Sequence, residues 1–351
     1  MKLARAALLV PTLSILAALA QSAHAESIVL ANYGGAWAAT LKRVCADPFT
    51  RQTGITVTQA STGDSLAQIK VQQTTKNVLW DISPTEGASL PVSQRAGWLQ
   101  PLDWKRIDPD NKLSALARHP YAIGAIAYST TIGYRTDKLP AGKSFNGWKD
   151  FWDTKAFPGP RTLRDSPIEN LEFALVADGV PVDKVYDVLK APGGVDRAFQ
   201  KLDEIKPAIT VWWTTGQQPV QLLASGDVFY ATAFNGRITQ IQKDKVPVTM
   251  VWNGGSLNVS YYSIQKGASN ANAAMDFMKF CWNDPQRLAE IARDMPYAGF
   301  NPDMFKILSA EEAKVLPTAP ANVALQFTFN PEFWADHQKE ILARWQAWRL
   351  Q

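Results

Sequence analysis

Cysteine, histidine and any imbalance of charge are all scarce in this chain. Only Cys45 and Cys281 occur among its 351 residues. They are far apart and lack a C-x-x-C partner, which excludes a thiolate zinc site or a dithiol redox motif. They read as a single disulfide or, less favoured, as two inert buried thiols. Of the three histidines, His24 falls in an N-terminal leader, while His119 in an expected loop and His337 on a solvent-facing helix read as structural. The sequence contains no G-x-S-x-G, H-E-x-x-H, G-x-x-x-x-G-K or G-x-G-x-x-G pattern, so the common hydrolase, metalloprotease and nucleotide motifs are missing. Asp108 and Asp110, in a Pro-containing turn, read as solvated surface. Basic side chains number 36 against 32 acidic ones, scattered without a basic run, which argues against nucleic-acid binding.

Long apolar runs are also missing beyond the first residues. Lys2 and Arg5 precede an apolar stretch over 6–20 that closes on Ala23-His24-Ala25, the pattern of a cleaved secretory signal. Pro11 interrupts that stretch and it falls short of the ~20 residues that span a bilayer. Residues 1–25 are therefore expected to leave a mature chain starting at Glu26, exported to an oxidising periplasm with no lipobox cysteine to tether it. Its length exceeds one common domain and no linker or repeat divides it, so two interlaced domains are expected.

What is present is alternating β and α character. Ile28-Val29-Leu30 reads as a buried strand, followed by the turn Asn32-Tyr33-Gly34-Gly35 and a helix over 36–49. Strands at 55–58 and 79–82 alternate with helices at 65–73 and 90–96. Such alternation implies an open sheet with covered faces, in which ligands lie beyond the carboxyl ends of strands. Tyr33, Trp37, Thr85 and Glu86 fall at those ends. Residues 122–134 read as a strand crossing into a second βα series that holds an apolar helix over 168–176, and 258–264 as a second crossing. Two crossings imply two lobes around one cleft. Helices follow at 273–281, 285–292 and 332–348, the last expected to clasp the lobes.

Tryptophan is abundant, with 13 copies. Trp98, Trp104, Trp148, Trp152, Trp334, Trp345 and Trp348 read as packing. Trp37, Trp212, Trp213 and Phe234 are instead expected at the cleft, because Trp212-Trp213-Thr214-Thr215-Gly216 and Phe234-Asn235-Gly236-Arg237 each follow a strand and precede a helix. Aromatic faces attract alkylammonium groups. Arg237 reads as a bidentate carboxylate clamp or as a salt bridge across the cleft.

The segments Leu30-Ala-Asn-Tyr-Gly-Gly, F-T-R-Q-T-G-I-T-V over 49–57, 96–103, 128–134, Ser225-Gly226-Asp227-Val228, Phe234-Asn-Gly-Arg237, 273–285 and 333–348 resemble spermidine/putrescine-type solute-binding proteins, across essentially the whole mature chain. The resemblance implies an α/β type II periplasmic-binding-protein fold. Its two lobes, 26–132 plus 259–310 and 133–258 plus 311–351, are joined by crossover strands around a central cleft that closes by hinge motion. It also implies a non-enzymatic, monomeric receptor without cofactor or metal, whose partners are a small amine or amino acid and an inner-membrane ABC permease. Carried over by position, Tyr33, Trp37, Thr85 and Glu86 line the pocket, Glu169 pairs with an ammonium, Phe234 forms a stacking wall and Tyr297 sits at the rim. Trp213, Asn235, Arg237 and Ser260 complete the expected ligand set. An ammonium-binding aspartate of the family falls on Ser260, a tryptophan on Asn258 and an acidic position near Ser166, so the pocket has lost negative charge. A polyamine remains the first reading of the ligand, and a zwitterion such as 4-aminobutyrate, held by Glu169 and Arg237, the alternative. In the resembling fold the helix bearing Cys281 returns to the first lobe, where Cys45 also lies.

Two further readings carry less weight. Tyr261-Tyr262 suggests ferric-ion binding, although adjacent strand residues point to opposite faces. Glu169 with Asp165 suggests a glycosidase-like acid and base.

Overall fold

The computed structural model describes residues 26–351; the expected leader lies outside the described residues. Ser27–Asn32 and Thr56–Ser61 pair in parallel, and a bridge from Leu30 to Ile82 extends this small sheet. Of the expected strand over 79–82 only Ile82 makes a bridge, and the strand itself is Ser83–Pro84. The expected helix over 36–49 becomes a longer run, Gly35–Leu41, Lys42–Ala46 and Asp47–Thr53, whose middle segment widens to a π turn and buries Val44, Cys45 and Ala46 together.

Two long antiparallel strands organise everything else. Ala122–Arg135 pairs with Val248–Gln265 from Ser263↔Ala122 to Val248↔Arg135. At one end Ile123, Ala125, Ile126, Tyr262 and Ile264 pack with Ile28, Leu30, Phe49 and Phe277 in a first core. At the other end Ile132 belongs to a second core with Trp148, Phe173, Leu202 and Trp345. Both faces of these strands are covered, which is why their apolar runs lack the alternation of a half-exposed strand.

The second crossing strand is ten residues longer at its start than the sequence pattern over 258–264 implies. Gly254-Gly255 sits in a bulge where the pairing shifts between Val251 and Ser256. Gly254 has a φ of +76°, and a Cβ there would stand 2.4 Å from the Trp148 ring. The Trp148 indole donates to the Gly254 carbonyl at 2.8 Å. A glycine is therefore required on both conformational and steric grounds.

The last helix, Pro331–Arg349, starts on an Asn330 cap and buries Trp334, Ile341, Trp345 and Trp348 along one stripe. Each indole N–H meets a carboxylate of the second half: Trp334 with Glu172 at 2.7 Å, Trp345 with Asp165 at 3.0 Å and Trp348 with Asp203 at 2.6 Å. On its outer side Glu332 and Asp336 fork around Arg95, on the helix Ser89–Arg95. The helix thus touches elements on both sides of the cleft.

Asp108 corrects an expectation. It is buried rather than solvated, because its carboxylate accepts from the N–H groups of Lys112 and Leu113 and from Asn283, and pairs with Arg118. His119 accepts from the Tyr121 N–H and packs on Tyr261, whereas His337 is exposed on the last helix.

Cys45 and Cys281 are joined, with Cα atoms 5.3 Å apart. Both lie in the first core, so the bond sits within one half while closing a loop that carries the other half. Replacing both cysteines by serine is expected to lower unfolding free energy by about 2 to 5 kcal/mol without altering ligand affinity; denaturant titration alongside binding calorimetry checks both parts.

Glu172 generates a second expectation. Its carboxyl is fully buried, and burial pushes its pKa from 4.5 up to about 7, opposed by hydrogen bonds from Trp334 and Tyr186. The folded state keeps a proton that the unfolded chain releases, so the stabilisation is complete below pH 4.5 and lost as pH rises through 7. Over that interval the loss amounts to about 3 kcal/mol. Glu172→Gln should remove this component of the pH dependence of unfolding; parallel wild-type and variant curves from pH 4 to 8 would contradict it.

Candidate functional site

A cavity of about 420 Å³ lies between the two cores, within the size range of small-ligand sites. Tyr33, Trp37 and Glu86 reach it from the first half. Tyr33 follows the strand Ser27–Asn32, and the turn is held by Asn32, whose Oδ1 accepts from the Gly34 N–H at 2.7 Å. Ile126, Tyr128 and Ser260 project from the two crossing strands. Phe234 and Arg237 come from the end of the strand Tyr230–Phe234 and the first turn of the helix Asn235–Lys243. Met295 and Tyr297, after the helix Pro285–Asp294, complete the wall.

The rings make one aromatic sleeve. Tyr128 meets Phe234 edge-on at 5.5 Å and Tyr297 at 6.5 Å. The Trp37 indole is anchored by donating to the Tyr262 hydroxyl at 2.9 Å. Glu86 is the carboxylate on this wall and Arg237 the guanidinium. Burial pushes the Glu86 carboxyl from 4.5 up to about 7, opposed by the Ser260 hydroxyl beside it. Arg237 donates to the Gln217 side-chain oxygen and forms no ion pair among the described residues.

Several expected site residues stand elsewhere. Trp213 does not face the cavity: it is buried behind Phe234, edge-on at 5.9 Å, and its indole donates to Thr232. Trp212 points to the opposite face of the same strand and packs on Trp345 and Trp348, as strand alternation requires. Asn235 is a structural clamp, accepting from the Ser129 N–H and donating to the carbonyls of Pro296 and Val315. Thr85 is fully buried, with its N–H donated to the Tyr261 carbonyl.

Glu169 does not line the cavity. It is buried at a φ of +71°, accepts from Asn258 at 2.9 Å and lies 3.9 Å from Arg164. Ser166 lies off the cavity wall too, accepting from the Ile168 N–H. Asp165, the proposed acid partner of Glu169, is taken by Trp345 and Arg349. Tyr261 and Tyr262 diverge, one donating to the Leu116 carbonyl and the other accepting from Trp37, so their phenols do not converge on one ion.

Tyr128, Ile126, Met295 and Gln217 escaped the sequence reading. Tyr128 carried a signal, an aromatic mid-strand in a crossing segment. Ile126, Met295 and Gln217 carry no sequence signal that separates them from ordinary core or surface positions.

Comparison with known proteins accords with this geometry. Residues 45–321 match the family described as bacterial extracellular solute-binding protein. A gamma-aminobutyric acid-binding protein of Pseudomonas aeruginosa is 34% identical over 331 residues, covering 94% of this chain and 93% of that protein. The crystal structure of an ABC transporter substrate-binding protein from Bradyrhizobium japonicum superposes with a TM-score of 0.83 at 35% identity, covering 92% of this chain and 99% of that one. A solved GABA receptor follows at a TM-score of 0.81 and 33% identity, covering 92% and 97%. The resemblance to polyamine receptors is more distant: a putrescine-binding periplasmic protein of Escherichia coli is 24% identical over 287 residues, covering 75% of this chain and 76% of that protein. The chain has the periplasmic-binding-protein fold, binds solute rather than transforming it, and belongs to the bacterial extracellular solute-binding protein family.

Proposed function

We propose that this protein is the periplasmic receptor for an ω-amino acid of the 4-aminobutyrate type, passing it to an inner-membrane ABC permease. The observation that carries the reading is the presence, lining one cavity, of a lone carboxylate, Glu86, from the first half and a guanidinium, Arg237, from the second that has no carboxylate of its own. A short zwitterion satisfies both: its ammonium meets Glu86, its carboxylate meets Arg237 bidentately, and the rings of Tyr33, Tyr128 and Phe234 cover the alkyl stem. The GABA-binding relative supports this choice. Glu86 thereby takes the role expected of Glu169, whose carboxylate is already occupied by Asn258. A polyamine has less support, because each desolvated ammonium needs a compensating partner and the wall offers one carboxylate beside a fixed positive charge.

Residues 26–132 plus 259–310 and 133–258 plus 311–351 serve as the two lobes in this proposal. The separate cores at the two ends of the crossing strands support that division. Export by a cleaved leader over 1–25 and action as a monomer belong to the same reading.

Thermal unfolding with candidate solutes tests it. At a hundredfold excess over its dissociation constant, 4-aminobutyrate should stabilise the fold by about 2.7 kcal/mol, and Arg237→Ala should weaken its binding roughly 100-fold. Stabilisation by putrescine or spermidine with no response to any ω-amino acid would overturn the assignment.

The Glu86 carboxyl, raised to about 7, sets the pH dependence. Since the bound ammonium requires the ionised form, affinity should rise by up to roughly tenfold per pH unit below 7 and level off above it. Glu86→Gln should bind weakly with a flat profile, as calorimetry from pH 5 to 8.5 would show.

A further inference from the structure

Arg237 stands where two strand-to-helix turns meet. One leads from the strand Ile209–Trp213 into the helix Gln218–Ser225, and the other from Tyr230–Phe234 into Asn235–Lys243. The turns touch at Gly216, where a Cβ would lie 2.7 Å from the Phe234 ring and 3.1 Å from the Arg237 Nε. That close approach places the next residue, Gln217, so that its side-chain oxygen accepts from the Arg237 Nη1.

The identity of this partner matters. Many guanidinium groups elsewhere meet carboxylates, as Arg106 does Asp276 and Arg135 does Asp137, while the buried Arg161 is satisfied by the carbonyls of Phe151, Phe157 and Gly159. Two acids near the mouth of the cleft are engaged by other groups: Asp294 pairs with Arg43 and accepts from Thr40, and Asp244 accepts from Gln240. Arg237 is left with a neutral amide, which restrains one edge of its planar fork and leaves its charge uncancelled. A charged partner would form an internal ion pair and compete with any anionic ligand.

We infer that Gln217 is a positioning residue that determines specificity: it holds Arg237 in place for a ligand carboxylate while keeping the guanidinium electrostatically available. This rests on the ω-amino acid reading above and deepens it. Residue 217 thereby sets whether the cleft selects zwitterions or simple amines. Gln217 is exposed, so substitutions there leave the cores intact.

The test is calorimetric titration of the full chain with 4-aminobutyrate and with n-butylamine, which has the amine and stem but no carboxylate. Gln217→Ala should weaken 4-aminobutyrate about tenfold and leave n-butylamine within about twofold. Gln217→Glu should weaken 4-aminobutyrate by about 100-fold or more while n-butylamine binds at least as well as before. In an Arg237→Ala background, Gln217→Ala should add no further loss. Equal weakening of both ligands, or an additive loss in that background, would overturn the inference while leaving the receptor assignment intact. A wild-type protein that binds n-butylamine or putrescine but no ω-amino acid would overturn both.

Discussion

The structure depends on one constraint: two strands serve two hydrophobic cores at once. Ala122–Arg135 and Val248–Gln265 are hydrogen-bonded to one another along nearly their whole length, yet their ends are buried in different apolar clusters. A chain held this way has a rigid ladder as its spine and a gap between the masses it carries. The gap contains side chains from the middle of the ladder, Ile126, Tyr128 and Ser260, and is walled by elements from each core. The bulge at Gly254 lies in this shared segment, where a break in pairing gives the strands a place to bend.

The polar design of the cleft follows from scarcity. Four carboxylates of the second half are spoken for: Asp165, Glu172 and Asp203 by indoles of the last helix, and Glu169 by Asn258. These bonds fasten the helix Pro331–Arg349 and the start of Asn170–Ala177, and they remove carboxylates from the ligand's reach. What remains lining the cavity is Glu86 and Arg237, one charge of each sign, together with aromatic rings. Burial makes the Glu86 charge worth more to a partner than it would be in water. Neighbouring neutral groups, Ser260 beside Glu86 and Gln217 beside Arg237, orient them without cancelling them.

Much of the fold was legible in the sequence because its signals are local. Apolar runs broken by turn residues mark the βα units, and the uninterrupted apolar character of 122–134 marks a strand buried on both faces. The site was legible in part. Tyr33, Trp37, Glu86, Phe234, Arg237, Ser260 and Tyr297 line the cavity, and most of them sit at strand ends. Trp212 and Trp213 both stand off the cavity, since a strand sends adjacent side chains to opposite faces and these pack on Trp345 and behind Phe234. Asn235 was misjudged because an amide at a helix start looks the same whether it meets a ligand or the carbonyls of Pro296 and Val315.

The sequence by itself determined the class of molecule: an exported pattern, two βα series joined by crossing strands, an aromatic excess and no catalytic constellation. The resemblance to polyamine receptors further implied a loss of negative charge at positions such as Ser260. Only the tertiary structure decided which charges are left over. Whether Glu169 or Glu86 lines the cavity, and whether Arg237 meets a carboxylate or an amide, depends on partners 89 and 20 residues away in sequence. Pairing of that kind is set by how distant segments pack, and a carboxylate satisfied inside the protein is chemically the same residue as one left waiting in the cleft.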